Sequence, residues 1–211
     1  MKATAINVMG SDLTVVNAAR VSFNKKVETF DPEKDGKLLH YLAKNGHWSP
    51  FSHCVLQYHV KAPIFVARQL AKHQVGMSWN EVSRRYVDDP PEFYIPEYRA
   101  RAEKKKQGSA DTIVSEEYDV DVKVSNFLDD ARNLYDELIY DYHVAPEIAR
   151  AFLPLNTYTE WYWTGSLYAF ARVCKQRLDE HAQKETREIA QQINDQAQLF
   201  FPESWKALMS Y

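Results

Sequence analysis

The chain has 211 residues, 45% of them hydrophobic and 26% charged, with a formal net charge of −3. That composition fits one globular domain over residues 1–211 and excludes a disordered or membrane-embedded chain. Mild acidity supplies no global field toward nucleic acid or anionic lipid, so a bound phosphate needs a local cluster of basic groups, which points to a small ligand rather than a nucleic acid or a membrane.

In chain order, residues 2–9 read as a short strand and Leu13 to Val21 as a first helix running into Phe23. Pro32 opens a helix in which Leu38, Leu39 and Leu42 recur at helical spacing, and Asn45-Gly46 stops it. From His53 to Lys61 the apolar Cys54, Leu56, Tyr58 and Val60 alternate with mostly polar residues, the pattern of a half-buried strand that Pro63 ends. Over 63–72, Ile64, Ala67 and Ala71 share one helical face while Phe65, Arg68, Gln69 and Lys72 share the other, free to reach a ligand. Pro90-Pro91 closes the next segment, and 97–112, carrying Arg99, Arg101, Lys104, Lys105 and Lys106, reads as a solvated, irregular excursion. Leu128, Leu134, Leu138 and Ile139 mark a long amphipathic helix through Tyr140, and Pro146 starts a short helix that Pro154 terminates. Thr157 to Trp163 is an aromatic strand, and two helices follow over 165–178 and 182–201.

Only six glycines are present, and none forms a dinucleotide-binding G-x-G-x-x-G or a P-loop. The densest polar stretch runs from Arg68 to Tyr86. If 80–86 is extended, Glu81, Ser83 and Arg85 project to one side, giving an acceptor, a hydroxyl and a cationic fork, the parts that hold a nucleoside monophosphate. A solvated, salt-bridged loop explains the same composition.

The stretch resembles the signature of the flavin-dependent thymidylate synthase (ThyX) family, Arg-His-Arg, seven residues, then Ser. The similarity extends through Ala62–Gln69 before it and Asn80–Tyr86 after it. Further matches stand at Ala18–Phe23, at Gly46-His47 with Pro50-Phe51 and His53, at Glu92–Tyr94, at Ala149-Arg150 with Leu153–Asn156, and at Arg177 with His181–Gln183. Two departures stand in the motif. Lys72-His73-Gln74 replaces Arg-His-Arg, and eight residues rather than seven precede Ser83, with Gly76 able to absorb the extra one as a bulge or turn.

The resemblance implies an α/β (α+β) fold with a central, mostly antiparallel sheet flanked by long helices. It also implies conversion of dUMP to dTMP, with 5,10-methylenetetrahydrofolate as carbon donor and NADPH-reduced FAD as hydride source. By the same resemblance, dUMP falls to Gln69, Lys72, Glu81, Ser83, Arg84, Arg85, Arg150 and Arg177. FAD falls to Ser49, Lys72, His73, Gln74, Glu81, Ser166, Tyr168 and Arg172, with His47 and Ser22 of second rank. Arg177 is the expected catalytic group, a cation against the N3/O4 edge of uracil where charge develops.

On the helix 165–178, Tyr168 and Arg172 share one face and Ser166 and Arg177 a roughly opposed one. That spacing places the helix between subunits, in keeping with the family's homotetramer and its shared sites.

Ser83 lacks an adjacent base and is assigned to binding, not attack. Cys54 and Cys174 read as core thiols outside any C-x-x-C pair, so neither a disulfide framework nor a thiol nucleophile is expected. A reducing compartment follows and, with no stretch near the ~20 apolar residues of a membrane helix, a cytoplasmic protein. His181 and Glu185 have a metal-compatible i, i+4 spacing but no third ligand, so no metal is expected. Trp161-Tyr162-Trp163 reads as core rather than a base-stacking platform. Two other classes fit the sequence: a flavin- and nucleotide-binding oxidoreductase without methyl transfer, and a non-catalytic RNA binder using 99–106.

Overall fold

The computed structural model describes residues 1–103, 108–114 and 119–211. Lys104, Lys105 and Lys106 of the basic excursion lie outside the described residues. The fold is mixed α/β. Its main sheet has four strands in the order β1-β2-β6-β3: β1 (Lys2–Met9), β2 (Val55–Pro63), β6 (Tyr158–Ser166) and β3 (Met77–Glu81). The chain forms two compact units, residues 1–60, 70–80 and 162–211 in the first, and 61–69 and 81–161 in the second.

In the first unit, β2 keeps the alternation read from sequence: Leu56, Tyr58 and Val60 are fully buried between partly exposed neighbours. Helices α1 (Asp12–Arg20), α2 (Lys34–Lys44), α6 (Leu167–Arg177), α7 (Lys184–Phe200) and α8 (Pro202–Met209) complete the unit. A run of edge-on aromatic contacts, the geometry ring quadrupoles favour, passes from Tyr58 to Phe170 (5.0 Å), Phe170 to Trp163 (5.2 Å) and Trp163 to Trp79 (5.6 Å). Full burial of Tyr58, Phe170 and Trp163 stabilises the fold by about 1.5–3 kcal/mol for each side chain.

Strand β1 lies at the end of the sheet, and its edge is covered by side chains. Gln192 Oε1 accepts from Ala3 N, Gln196 Oε1 accepts from Ala5 N, and Gln196 Nε2 donates to Ala3 O. Two glutamines one helical turn apart on α7 thus satisfy backbone groups that an open edge would offer to another chain.

Helix α8 is absent from the sequence reading, which ended at residue 201. Pro202, suited to the first turn of a helix, starts it, and its N-terminal amides are held by Asp12: Oδ2 accepts from Glu203 N at 3.0 Å and Oδ1 from Ser204 N at 2.9 Å. Helix α2 begins at Lys34, two residues after Pro32, and its first turn is fixed by Asp35, which pairs with Arg20 at 2.5 Å and accepts from Asp31 N.

In the second unit, α3 (Ile64–Leu70) begins one residue later than expected and buries Val66 and Ala67, so of the expected packed face Ala67 is buried while Ile64 is partly exposed, and Arg68 is exposed. Its first amides donate to the 155–157 turn, Ile64 N to Thr157 O and Phe65 N to Leu155 O. The excursion includes a two-stranded sheet: β4 (Arg99–Arg101) pairs antiparallel with β5 (Ser109–Ile113). Charged residues on both sides of β4 hid the strand period. Helix α4 (Val120–Asp136) buries Leu128, Ala131 and Tyr135, leaving Leu134 exposed, and continues as a wider π-type turn over Glu137–Asp141 before α5 (Pro146–Ala149).

Candidate functional site

The sequence-derived residues fall into two groups, one in each unit. In the first unit the chain leaves α3 through Lys72-His73-Gln74 and turns into β3. Met77 N donates to Gln74 O at 3.1 Å, and Gly76 sits at φ +75°, a left-handed position open to glycine at no steric cost. A turn therefore stands at Gly76, the position where the sequence offers room for an extra residue. A second glycine admits the turn: a Cβ at Gly165 would lie 2.1 Å from Met77 Sδ.

Lys72, His73 and Gln74 line a cavity of about 250 Å³ together with Arg172, Gln176 and Arg177 of α6. Among the described residues, its charged lining groups are all cationic and none is a carboxylate. Arg177 Nε donates to His73 Nε2 at 2.9 Å. Burial, then the Arg177 and Arg172 charges, push the His73 imidazole down to about 4 from 6.5, so it is neutral near pH 7. Arg172 and Arg177 therefore share one cavity, which overturns the opposed-face argument for placing α6 between subunits. Five residues along a helix swing only about 140°, and long arginine side chains span that arc.

Ser49, Ser166 and Tyr168 are not among the residues lining this cavity. Ser166 caps α6, its Oγ accepting from Ala169 N at 3.2 Å. Tyr168 lies beside Trp48, 6.1 Å between ring centres, and Ser49 opens the tight turn Ser49–His53 that follows Trp48. Of the second-rank residues, His47 is exposed and stacks on Tyr41, and Ser22 is exposed in the turn Val21–Phe23 after α1.

In the second unit, Glu81, Arg84 and Arg150 line a cavity of about 340 Å³ with Lys61, Glu92 and Glu160. Residues 82–86 are not extended. β3 ends at Glu81, and Ser83 O accepts from Tyr86 N and Val87 N, so a turn replaces the alternation that was to align Glu81, Ser83 and Arg85. Val82 N still donates to Glu160 O of the neighbouring strand, and beyond it the bonds to Ser83 O are local turn bonds, which satisfy the same groups a ladder would.

Thr159 Oγ1 fixes Glu81 by donating to Oε1 at 2.7 Å. Arg84 closes its own loop through Asp89 O at 2.8 Å and lies 5.7 Å from the Tyr135 ring centre. Arg85 and Arg150 converge on one residue: Arg85 Nε donates to Glu147 Oε2 at 3.2 Å, and Arg150 Nε to Glu147 O at 3.3 Å. Gln69, Ser83 and Arg85 are outside the 340 Å³ cavity's lining, with Gln69 partly buried near the end of α3.

Glu147 and Lys61 were missed in the sequence. Lys61 bonds Glu92 and lies 3.6 Å from Glu160, and the Glu92 bond, ahead of other effects, holds its ammonium above the usual lysine range. The available signal was strand alternation, which aims Lys61 away from the buried Val60 and Ala62 side.

Cys54 and Cys174 are buried, as the core reading requires. Burial pushes the Cys54 thiol up to about 11 and Cys174 further, so neither offers a thiolate near neutral pH. His181 precedes α7, so helical spacing to Glu185 does not apply; it bonds Asp179 instead at 2.8 Å. Trp161 and Trp163 are buried and Tyr162 is exposed, an aromatic core strand.

The sequence model of the thymidylate synthase complementing protein family matches residues 4–203. A flavin-dependent thymidylate synthase of Thermotoga neapolitana is 40% identical over 206 residues, covering 98% of this chain and 89% of that protein. One of Thermus thermophilus is 39% identical over 203 residues, covering 96% of this chain and 73% of that protein. Among solved structures, the UMP/dUMP methylase PolB of Streptomyces cacaoi, bound with 5-Br dUMP, superposes with a TM-score of 0.87 at 28% identity, covering 100% of this chain and 95% of that one.

Proposed function

From the premise that the chain belongs to the thymidylate synthase complementing protein family, we propose that it is a flavin-dependent thymidylate synthase, a methyltransferase converting dUMP to dTMP. The observation that carries the reading is the 250 Å³ cavity: among the described residues it gathers three cations, two amides and a neutral imidazole, without a carboxylate, from the segment that carries the variant motif and from α6. Such a donor set fits an anionic, hydrogen-bonding ligand and disfavours a cationic one. The flavin-dependent relatives and the methylase structure bound with 5-Br dUMP support the same assignment.

FAD fits this donor set, and the residues that would hold it are Ser49, Lys72, His73, Gln74, Glu81, Ser166, Tyr168 and Arg172. The flavin, when bound and reduced by NADPH, supplies the hydride that completes the methyl group, whose carbon comes from 5,10-methylenetetrahydrofolate. The chain's own residues bind and orient. Arg85 and Arg150 grip the dUMP phosphate with Gln69, Lys72, Ser83 and Arg84, and Glu81 accepts from the nucleoside. Arg177 holds the negative charge that builds on the uracil ring, a fixed cation needing no reorganisation as the reaction proceeds.

The Arg85 to Glu147 pair is half-exposed, each side chain at 50%. Exposed pairs contribute about 0–1 kcal/mol, so a phosphate dianion displaces Glu147 readily. We place residues 1–211 in one functional domain, which a single family match across both units supports. The protein is proposed to work in the cytoplasm as a homotetramer with sites shared between subunits. Buried, unpaired cysteines support a reducing compartment, and no helix among the described residues is long and apolar enough to cross a membrane.

The test is product analysis. Protein saturated with FAD, given dUMP, 5,10-methylenetetrahydrofolate and NADPH, yields dTMP by chromatography; NADPH oxidation without dTMP would leave only a flavin oxidoreductase.

A further inference from the structure

Arg177 reaches the cationic cavity with one of its nitrogens already committed. Its Nε donates to His73 Nε2 at 2.9 Å. A guanidinium has donors and no acceptor, so Nε2 must supply a lone pair and the imidazole proton must sit on Nδ1. A bond to Nε also fixes the plane of the guanidinium, because Nε is the pivot through which the two terminal nitrogens turn.

The surroundings give the arrangement one stable protonation state. Among the described residues, the charged groups lining the cavity with His73 are Lys72 on its own segment and Arg172 and Arg177 on α6, all cations, and the remaining lining residues are neutral. Protonating His73 would place a fourth positive charge among three and turn the acceptor that Arg177 needs into a donor facing a donor.

We propose that His73 is a positioning residue for Arg177: its Nε2 lone pair fixes the guanidinium plane, and the neutral Nδ1–H tautomer is the form required for turnover. The inference rests on the thymidylate synthase reading for the role of Arg177, and it adds to His73 a task separate from any contact with the flavin. Acid inhibits by releasing Arg177 as well as by any effect on substrate.

Two variants at His73 separate the roles. His73→Gln offers an acceptor near the Nε2 position and does not titrate, whereas His73→Phe keeps the ring volume and has no lone pair. Each is made alone and with Arg177→Lys, which keeps the charge and lacks Nε. With flavin and dUMP saturating, His73→Phe is expected to lower kcat by about 10–100-fold, the loss of one charge-assisted hydrogen bond, with a smaller effect on KM. His73→Gln should recover most of that loss and flatten the acid limb of the pH profile. In the Arg177→Lys background, His73→Phe should cost under about twofold, because the bond is already gone.

Nitrogen-15 NMR of the flavin-free protein supplies a readout independent of turnover. It should show His73 protonated at Nδ1 and bare at Nε2 at pH 7, with that preference lost in Arg177→Lys. Equal cost of His73→Phe in both backgrounds, or a proton on Nε2 at pH 7 in the unmutated protein, overturns the inference. A protein that makes no dTMP under any supply of FAD, folate donor and NADPH overturns the functional reading instead, and the NMR result then decides the His73 to Arg177 pairing by itself.

Discussion

Removing the Asp12 carboxylate should loosen the first unit at the start of α8. Asp12 is 9% exposed, and its two oxygens accept from Glu203 N and Ser204 N at the start of α8. Asp12→Ala removes a helix cap, about 1 kcal/mol, and strands an amide belonging to the fully buried Ser204, about 1–3 kcal/mol more. The total is about 3 kcal/mol, which lowers Tm by roughly 6–12 °C in a chain of this size. Asp12→Asn keeps one acceptor oxygen and loses the charge, so about 1 kcal/mol is expected. Urea denaturation at fixed pH, followed by circular dichroism, measures both. A cost below about 0.5 kcal/mol for Asp12→Ala, the ordinary level of an exposed substitution, would refute the capping argument, as would equal costs for the alanine and asparagine variants.

Other outcomes follow from the same structure. His73 has a folded value of about 4 against 6.5 ordinarily, so the unfolded chain takes up the proton first as pH falls. Its contribution is complete above about 6.5 and is lost on descending to about 4, amounting to roughly 2 kcal/mol between pH 7 and 5. Denaturation of the flavin-free protein at both pH values should show that loss, and His73→Gln should show less of it by that amount. The Cys54→Ala, Cys174→Ala double variant should keep substantial dTMP synthesis despite a stability cost of about 1 kcal/mol per site; abolished turnover in the folded variant would restore a thiol mechanism. Gln74→Arg adds a cation to a cavity that already selects anions, so flavin titration should show FAD binding preserved or tightened, and clear loss of flavin would contradict the motif alignment.

Periodic elements were legible because their burial follows a local rule. Leu56, Tyr58 and Val60 alternate into the core, and Gly46, at φ +69°, ends α2 where Asn45-Gly46 said it would. What stayed hidden depends on partners distant in sequence. Helix α8 is capped by Asp12, some 190 positions earlier, and Glu147 holds Arg85 from 62 positions away. The turn at Ser83 and the β4–β5 pairing were missed for a different reason. Polar and charged residues there carry no hydrophobic period, so only backbone hydrogen bonding distinguishes strand from turn.

The candidate site was legible as a set of residue types and less so as geometry. Lys72, His73, Gln74, Arg172 and Arg177 do line one cavity. A helical wheel nevertheless separates Arg172 from Arg177, because it ends every side chain at Cβ. It also could not see that His73 accepts from Arg177, since 104 positions separate them.

Release of tritium from dUMP labelled at C5 tests the enzyme assignment most directly. Replacement of that hydrogen by a carbon is the one event the proposed reaction requires and a simple oxidase lacks. With FAD, 5,10-methylenetetrahydrofolate and NADPH present, label should pass to water in step with dTMP formation, and Arg177→Ala should suppress both. Label retained on dUMP while NADPH is consumed would contradict the account.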